Sequence, residues 1–309
     1  MASTEPLRLE IASGSDVGRV RSANEDHCAV FDDPTGRRLL VVADGMGGHR
    51  GGATASRLAV EAIGRHFERD AAASVAPADR LAEAIRQANR EVHAASRHDA
   101  ELRGMGTTVV ALLVDPEGAW VAHVGDSRAY LVRDDRLEAL TEDHSVVAEL
   151  MRRGLLTPDE AEVHPRRNEI LRSVGVDETV EAELRRIELA PGDRIVLCSD
   201  GLCGVVSDEE ILDLARDGSA ERAVAALIEA ANAAGGPDNV TVQVVRVAAA
   251  AADPADTTDA GDAEAEALPP QRAHAADTPP QAPAGSRTAL ALIALSLAGL
   301  LAFSLLLWR

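Results

Sequence analysis

Short apolar runs rich in β-branched residues, each bounded by turn residues, recur through the first 247 positions and predict β-strands. Seven runs stand out, at residues 27–31, 39–43, 107–114, 120–124, 128–133, 194–198 and 240–247. Some follow one another with very short connections, such as the turn around Asp134 and Asp135. Because parallel strands need a long crossover, these short turns predict antiparallel sheets.

Three other segments have helical periodicity. Apolar residues from Leu81 to Val92 recur at offsets of 4, 7 and 11, after a proline at Pro77 that suits the first turn of a helix. A second set begins at Val224 and ends before the glycine pair at 235–236, and a third helix is expected over residues 54–68. This order of elements predicts an α+β domain in which helices cover the outer faces of antiparallel sheets.

The rest of the chain divides into two segments by composition. Residues 248–287 are rich in Ala, Asp and Pro and carry almost no large apolar side chains, so we expect a disordered acidic linker. Residues 288–308 form a run of 21 residues without a charge, which is long enough to cross about 30 Å of hydrocarbon as a helix. The pattern predicts a transmembrane helix. The alternative is a buried helix packed on the domain, which would normally show a polar stripe.

The position of this apolar segment predicts the side of the membrane on which the domain lies. The chain opens with MASTEPLRLE, which lacks the basic and apolar regions of a secretory signal. Almost no chain follows the apolar segment, so little would be exported. We therefore expect a single-pass protein of the cell membrane, whose folded domain, residues 1–247, is cytoplasmic.

Charge and cysteine content narrow the classes of partner. The formal net charge is −20, which argues against nucleic acid, because affinity for phosphate backbones comes from Lys and Arg. A divalent cation is a better partner for such a chain. The three cysteines, Cys28, Cys198 and Cys203, match neither a disulfide framework nor a zinc pattern, and we interpret them as reduced core thiols.

Aspartates stand directly at the ends of several predicted strands. Asp44 ends LLVVADG, Asp126 ends WVAHVGD, Asp200 ends RIVLCSDG, and Asp238 precedes NVTVQVVRV. Carboxylates gathered at a common sheet edge repel one another unless cations lie among them, and hard oxygen ligands select Mg²⁺ or Mn²⁺. A single Asp-Gly pair more often marks a turn. The glycines of DGMGGHRGG allow the backbone to approach a small ligand, which alone is a weak signal.

Eight segments resemble, in the same order, the motifs of the PPM (type 2C) family of metal-dependent protein phosphatases, especially its bacterial members. They are SDVGRVRSANED, VVADGMGGH, GMGTTVVALL, VGDSRAYL, TEDHS, HPRRN, LCSDGL and GGPDNVTV, and the resemblance covers residues 7–247. It implies a four-layer α-β-β-α sandwich of two antiparallel sheets flanked by helices. It also implies an enzyme that hydrolyses phosphoserine and phosphothreonine in proteins, opposing a membrane serine/threonine kinase and acting on its substrates. We further expect a monomer.

The resemblance implies a set of metal ligands. Asp44 would bridge two Mn²⁺ or Mg²⁺ ions, and the carbonyl of Gly45 would bind one of them. Asp200 and Asp238 would complete the protein ligands of the second ion. Asp126, together with Asp200, would hold a third ion more loosely, as in many bacterial members. The resemblance thus assigns two ions, and a third, to one centre.

Other roles implied by the resemblance concern substrate and water. Asp26 would contact the metal-bound waters, with Glu25 a weaker candidate, and Arg21 would bind the substrate phosphate through its planar fork. Two ions about 3.5 to 4 Å apart would convert the water between them to hydroxide, which attacks phosphorus without a covalent intermediate. Many eukaryotic relatives have a histidine where this chain has Met46, so the general acid stays open between His49 and a metal-bound water.

Residues 140–174 resemble the flap beside the family's active site. The arginines of this segment would steer acidic phosphopeptides, and a solvated surface loop is the alternative.

Two other functions compete with the phosphatase: a catalytically inactive, membrane-tethered regulator that binds phosphoproteins, and a hydrolase with an aspartyl nucleophile. The complete set of aspartates argues against the inactive regulator.

Overall fold

The computed structural model describes residues 8–48, 50–69, 75–115 and 118–248. Within these ranges the strands are β1 (Arg8–Asp16), β2 (His27–Asp32), β3 (Arg38–Ala43), β4 (Gly45–Met46), β5 (Gly106–Thr107), β6 (Val109–Asp115), β7 (Gly118–Val124), β8 (Arg128–Arg133), β9 (Arg136–Ala139), β10 (Glu183–Ile187), β11 (Arg194–Cys198) and β12 (Val240–Ala248). The α-helices are α1 (Gly51–Arg69), α2 (Pro77–His98), α3 (Val146–Arg152), α4 (Pro158–Glu162), α5 (Asp200–Cys203), α6 (Asp208–Ala215) and α7 (Ala220–Ala233).

Ten of these strands form two five-stranded sheets. The first has the order β1-β12-β11-β8-β9, the second has the order β10-β7-β6-β3-β2, and β4 pairs with β5 in a separate ribbon. All of these pairings are antiparallel, which confirms the prediction from the short connections. The turn between β8 and β9 has Asp134 and Asp135 at φ 49° and 58°, the left-handed conformation of a tight hairpin turn.

Three apolar cores join four layers. Strand β3 shows how one short sequence serves two of them, because side chains alternate across a strand. Leu39 and Val41 face the core under α1 and α2, whereas Leu40 and Val42 face the core between the two sheets. The third core lies between the first sheet and helices α5 to α7. The layers therefore follow the order helix, sheet, sheet, helix.

The predicted helices are present and somewhat longer than the sequence pattern indicated. Helix α2 begins with Pro77 in its first turn, as predicted. Helix α7 begins after Ser219, whose side chain accepts a hydrogen bond from Arg222 N and so caps the helix. The helix expected over residues 54–68 begins earlier, at Gly51.

Some elements were not predicted. The edge strands β1, β9 and β10 and the short helices α3 to α6 escaped the pattern analysis. Strand β1, RLEIASGSD, mixes polar and small residues and pairs with β12 along its whole length, so its partner defines it more than its own sequence does. The strand predicted over residues 107–114 is divided at Thr108, whose side chain bonds to the neighbouring Asp44 N and Ser127 Oγ.

In the described part of the chain, no helix combines the length and apolar character needed to cross a membrane. Strand β12 ends at Ala248, one residue beyond the predicted end of the domain. The rest of the predicted linker and the predicted transmembrane helix at 288–308 lie outside the described residues.

Candidate active site

Five predicted aspartates lie at one end of the two sheets. In the second sheet, Asp44 follows β3, Asp126 comes shortly after β7, and Asp26 precedes β2. In the first sheet, Asp200 follows β11 by two positions, and Asp238 comes shortly before β12. Antiparallel neighbours run in opposite directions, so the end of one strand meets the beginning of the next at the same edge. The topology therefore gathers these side chains from distant parts of the sequence.

The gathered carboxyl groups are hard to ionise together. Burial raises the pKa of both Asp26 and Asp126 to about 7, and the nearby Asp200 carboxylate adds to each shift. Burial also raises the pKa of Asp44 well above its ordinary value, and neighbouring carboxylates raise it further. The pKa of Asp200 is raised by burial as well, although a hydrogen bond with Asp44 partly opposes this. The cluster therefore retains protons that isolated aspartates would lose.

Two oxygens in this cluster lack partners. Asp26 Oδ1 and Asp200 Oδ1 are buried without a hydrogen bond. Leaving such an acceptor unpartnered costs about 1–3 kcal/mol. A divalent cation would satisfy these oxygens and remove the repulsion among the carboxylates, and hard oxygen donors suit Mg²⁺ and Mn²⁺. The residues present therefore fit these ions.

Hydroxyl groups orient Asp26. Ser199 Oγ donates to Asp26 Oδ2 over 2.7 Å, and the hydroxyls of Thr241 and Ser199 lower the pKa of this carboxylate, which opposes part of the effect of burial. Ser199 Oγ in turn accepts from Thr241 N over 3.0 Å. Neither hydroxyl residue was singled out from the sequence, where the only signal was a serine between an apolar strand and Asp200.

The backbone of Asp44 is held on both sides. Thr108 Oγ1 accepts from Asp44 N over 3.0 Å, and Thr107 Oγ1 donates to Asp44 O over 2.7 Å. Thr108 Oγ1 also bonds to Ser127 Oγ, at 2.7 Å. Ser127 is the residue after Asp126, so one pair of hydroxyls connects the chain segments that carry two of the aspartates.

Gly45 lies where no side chain fits. A Cβ atom there would lie 2.1 Å from Gly52 O and 2.6 Å from Glu25 O. The glycines of this motif thus allow the β3–β4 junction to pack against the first turn of α1. Met46 is half-buried in β4. His49, the other residue considered for proton donation, lies outside the described residues.

Arg21 lies at the rim of the cluster with 51% of its side chain exposed. Its Nη2 donates to Asp238 Oδ2 over 2.6 Å. Burial alone would lower the pKa of Arg21, but the Asp238 carboxylate, with Glu25 and Asp44, outweighs this and raises it. The guanidinium is therefore charged and accessible to an anion beside the carboxylates.

Asn239 holds the loop that carries Arg21. Its Oδ1 accepts from Glu25 N over 2.8 Å, and its Nδ2 donates to Val17 O and Ala23 O, each over 3.0 Å. One buried amide thus fixes the loop at three points. The sequence analysis did not assign this residue a role, although it directly follows Asp238.

The segment predicted as a flap contains α3 and α4. Its base is tied to β8 by Arg128, which donates to both carboxylate oxygens of Asp143 over 2.8 Å. Both predicted steering arginines, Arg166 and Arg167, are exposed, and Arg166 forms an ion pair with Glu169 at 2.7 Å.

Comparison with known proteins agrees with this architecture. The family model for protein phosphatase 2C matches residues 14–244. The serine/threonine phosphatase stp of Listeria monocytogenes is 40% identical over 236 residues, which cover 75% of this chain and 93% of that protein.

Solved structures show the same fold. The S. agalactiae serine/threonine phosphatase superposes with a TM-score of 0.74 at 36% identity, covering 78% of this chain and 100% of that one. The catalytic domain of the phosphatase PstP, in complex with two manganese ions, has a TM-score of 0.70 at 39% identity and covers 79% of this chain and 100% of that one.

The α+β fold of two antiparallel sheets, with a carboxylate cluster at one end, indicates a metal-dependent hydrolytic enzyme. The comparisons identify its family. The chain belongs to the protein phosphatase 2C family. It is an enzyme of the serine/threonine phosphatase type, as its relatives are.

Proposed function

We propose that this enzyme hydrolyses phosphoserine and phosphothreonine in proteins, using Mn²⁺ or Mg²⁺ held by the aspartate cluster. The observation that carries the proposal is the convergence of five aspartates at one sheet edge, two of them with unpartnered buried oxygens, beside an accessible guanidinium. The two manganese ions in the PstP catalytic domain support it.

The proposed ligands are those expected from the sequence. Asp44 would serve both ions, the carbonyl of Gly45 would help to hold one of them, and Asp200 and Asp238 would help to hold the other. Asp126 and Asp200 would hold a third ion, and Asp26 would contact the water around the metals. When bound, the ions supply an activated water for attack on phosphorus and neutralise the charge that develops on the phosphoryl oxygens.

The chain's own residues prepare this site for the substrate. The fork of Arg21 binds two phosphate oxygens, and its hydrogen bond to Asp238 keeps the guanidinium at the rim. Asn239 limits the movement of the loop on which Arg21 lies. Met46 has no proton to donate to the leaving serine or threonine oxygen, so His49 and a metal-bound water are the two candidates for the general acid.

The test is release of inorganic phosphate from a phosphothreonine peptide by the 309-residue chain, with Mn²⁺ and with EDTA. We expect activity that requires the metal. Binding of the peptide without release of phosphate would instead support the inactive regulator. A turnover in ¹⁸O-labelled water, followed by one in ordinary water, tests the aspartyl nucleophile, because label retained on a carboxylate would contradict direct attack by water.

We further propose that the enzyme is a monomer tethered to the cell membrane by residues 288–308, with its domain in the cytoplasm. The support is the uncharged run of 21 residues in the sequence. There it would act against a membrane serine/threonine kinase. Fractionation tests the tether: we expect the protein in the membrane pellet and resistance to alkaline carbonate. Release by carbonate would contradict a spanning helix.

A further inference from the structure

His144, at the base of the flap, is bonded twice to the residue that precedes Asp126. The backbone N of His144 donates to Gly125 O over 2.9 Å. In return, Gly125 N donates to His144 Nδ1 over 3.2 Å. The imidazole is buried, with only 5% of the residue exposed. A flap residue therefore holds both the N–H and the C=O of Gly125, the residue next to a candidate metal ligand.

These bonds determine where the ring proton lies. Because Nδ1 accepts from an amide, the neutral ring carries its proton on Nε2, which donates to Glu183 Oε2 over 3.2 Å. Burial lowers the pKa of His144, which keeps the ring neutral near pH 7. His123 stacks on the ring with centroids 4.5 Å apart and donates from Nε2 to Glu142 O over 2.7 Å. The ring orientation is thus fixed from three directions.

The same side chains resemble a metal site, since His123, His144 and Glu183 offer ligand atoms within 4.8 Å of one another. The hydrogen bonds oppose that interpretation. A metal on Nε2 of His144 would require the ring proton to move to Nδ1, where it would face the Gly125 N–H. The cluster is therefore arranged to hold the backbone rather than an ion.

A displacement of Gly125 would also displace the residues that position the aspartates. Gly125 has φ +106°, and a Cβ atom there would lie 2.7 Å from Thr108 Cγ2. Thr108 is the residue whose hydroxyl binds both Asp44 N and Ser127. The turn between β7 and β8 is therefore packed closely against Thr108, which supports Asp44. His144 bonds to the backbone of the same turn.

We infer that His144 is a positioning residue, which orients the Asp126 carboxylate for the third cation by fixing Gly125 through Nδ1. The inference rests on the proposed function, because the third ion is part of that proposal. Two substitutions test the roles of the two ring nitrogens separately. His144→Asn retains an acceptor at the δ position, and His144→Gln retains a donor at the ε position.

Calorimetric titration of the 309-residue chain with Mn²⁺ tests the effect on binding. We expect the dissociation constant of the weakest site to rise about tenfold in His144→Gln, the size typical for residues that orient metal ligands, and to stay within about twofold in His144→Asn. His93→Gln is the matched control, because His93 Nδ1 contacts the backbone of another glycine, Gly175 O, at 3.2 Å.

Two measurements without metal complete the test. In EDTA, the Gly125 amide should exchange its hydrogen about tenfold faster in His144→Gln than in the wild type or His144→Asn. Spectra of ¹⁵N-labelled histidine should show the proton of His144 on Nε2. A proton on Nδ1, or a His144→Gln isotherm that matches His93→Gln, would overturn the inference, as would an equal loss in His144→Asn.

Asp126→Asn distinguishes failure of the inference from failure of the proposed function. If Asp126→Asn weakens the weakest Mn²⁺ site and His144→Gln does not, only the positioning role is wrong. If Asp126→Asn leaves the isotherm unchanged, Asp126 holds no third ion, and both the inference and that part of the proposed function are wrong.

Discussion

Most aspartate carboxylates of the cluster are largely buried and lie close to other carboxylates. The pKa of Asp126 rises to about 7 because of burial and the charges of Asp200 and Asp143. The few cationic groups nearby include Arg21, which binds Asp238, and Arg128, which binds Asp143. The effect of one substitution therefore depends on the charges around it.

Asp44→Asn should reduce kcat by at least tenfold, because the proposed bridging carboxylate serves two ions at once. Phosphate release from a phosphothreonine peptide at saturating Mn²⁺ measures this. Asp32→Asn makes the same charge change on a side chain 65% exposed at the other end of strand β2 and should have little effect. Activity above about a tenth of wild type in Asp44→Asn would contradict the bridging role.

Arg21→Ala should raise KM by about tenfold or more and change kcat less, because the guanidinium binds the phosphate in the bound substrate as well as in the transition state. Arg21→Lys should recover only part of the loss, since an ammonium lacks the planar fork. Arg19→Ala, an exposed arginine in the same loop, is the control. An unchanged KM in Arg21→Ala would show that another group binds the phosphate.

At the scale of secondary-structure elements, the site lies where strands end and loops begin. Buried side-chain amides of two asparagines bond to the backbone near the site and hold these segments in place. Asn239 holds the loop of residues 17–25, and Asn89 holds the segment after the flap through Gly175 N, Asp177 O and Glu178 O. Both side chains are nearly inaccessible and make three bonds to backbone. They form a natural pair for comparison.

Asn239→Ala and Asn89→Ala should each lower Tm by roughly 5 °C or more, because each leaves buried backbone groups unpartnered at about 1–3 kcal/mol apiece. Only Asn239→Ala should also raise KM severalfold, since it frees the loop of Arg21. Calorimetry and peptide kinetics measure the two effects. Equal KM values in both variants would mean that Asn239 contributes to stability alone.

For the whole molecule, the raised pKa values make stability depend on pH when metal is absent. A carboxyl group with a raised pKa binds more protons in the folded state than in the unfolded one, so the free energy of unfolding falls as pH rises from about 4 to about 7. One pKa unit corresponds to about 1.4 kcal/mol. The metal-free fold should therefore be more stable in mild acid.

In EDTA, we expect Tm to be about 5 °C or more higher at pH 5.5 than at pH 8, and Mn²⁺ to raise Tm at pH 8. Replacing Asp26 and Asp126 together with Asn should flatten the dependence, because these two groups titrate near pH 7. Differential scanning calorimetry measures both effects. A Tm in EDTA that rises from pH 5.5 to pH 8 would contradict the raised pKa values.

Local rules were enough to predict much of this protein. Short β-branched apolar runs bounded by turn residues identified β3 and β11, helical periodicity identified α2, and the position of Asp44 and Asp200 after apolar strands indicated a shared edge. These signals lie within a few residues of one another, since a strand or helix is built from the preferences of its own sequence. The family motifs, read in order, then linked the local signals to one kind of enzyme.

Only the tertiary structure decided which groups support those aspartates. Strand β1 pairs with β12 across more than two hundred positions, and that pairing brings Asn239 to the loop of Arg21. The hydroxyl of Ser199 meets Asp26, and the ring of His144 meets Gly125, by the same long-range packing. Such contacts depend on how distant segments come together in the fold, which no local pattern of residues encodes.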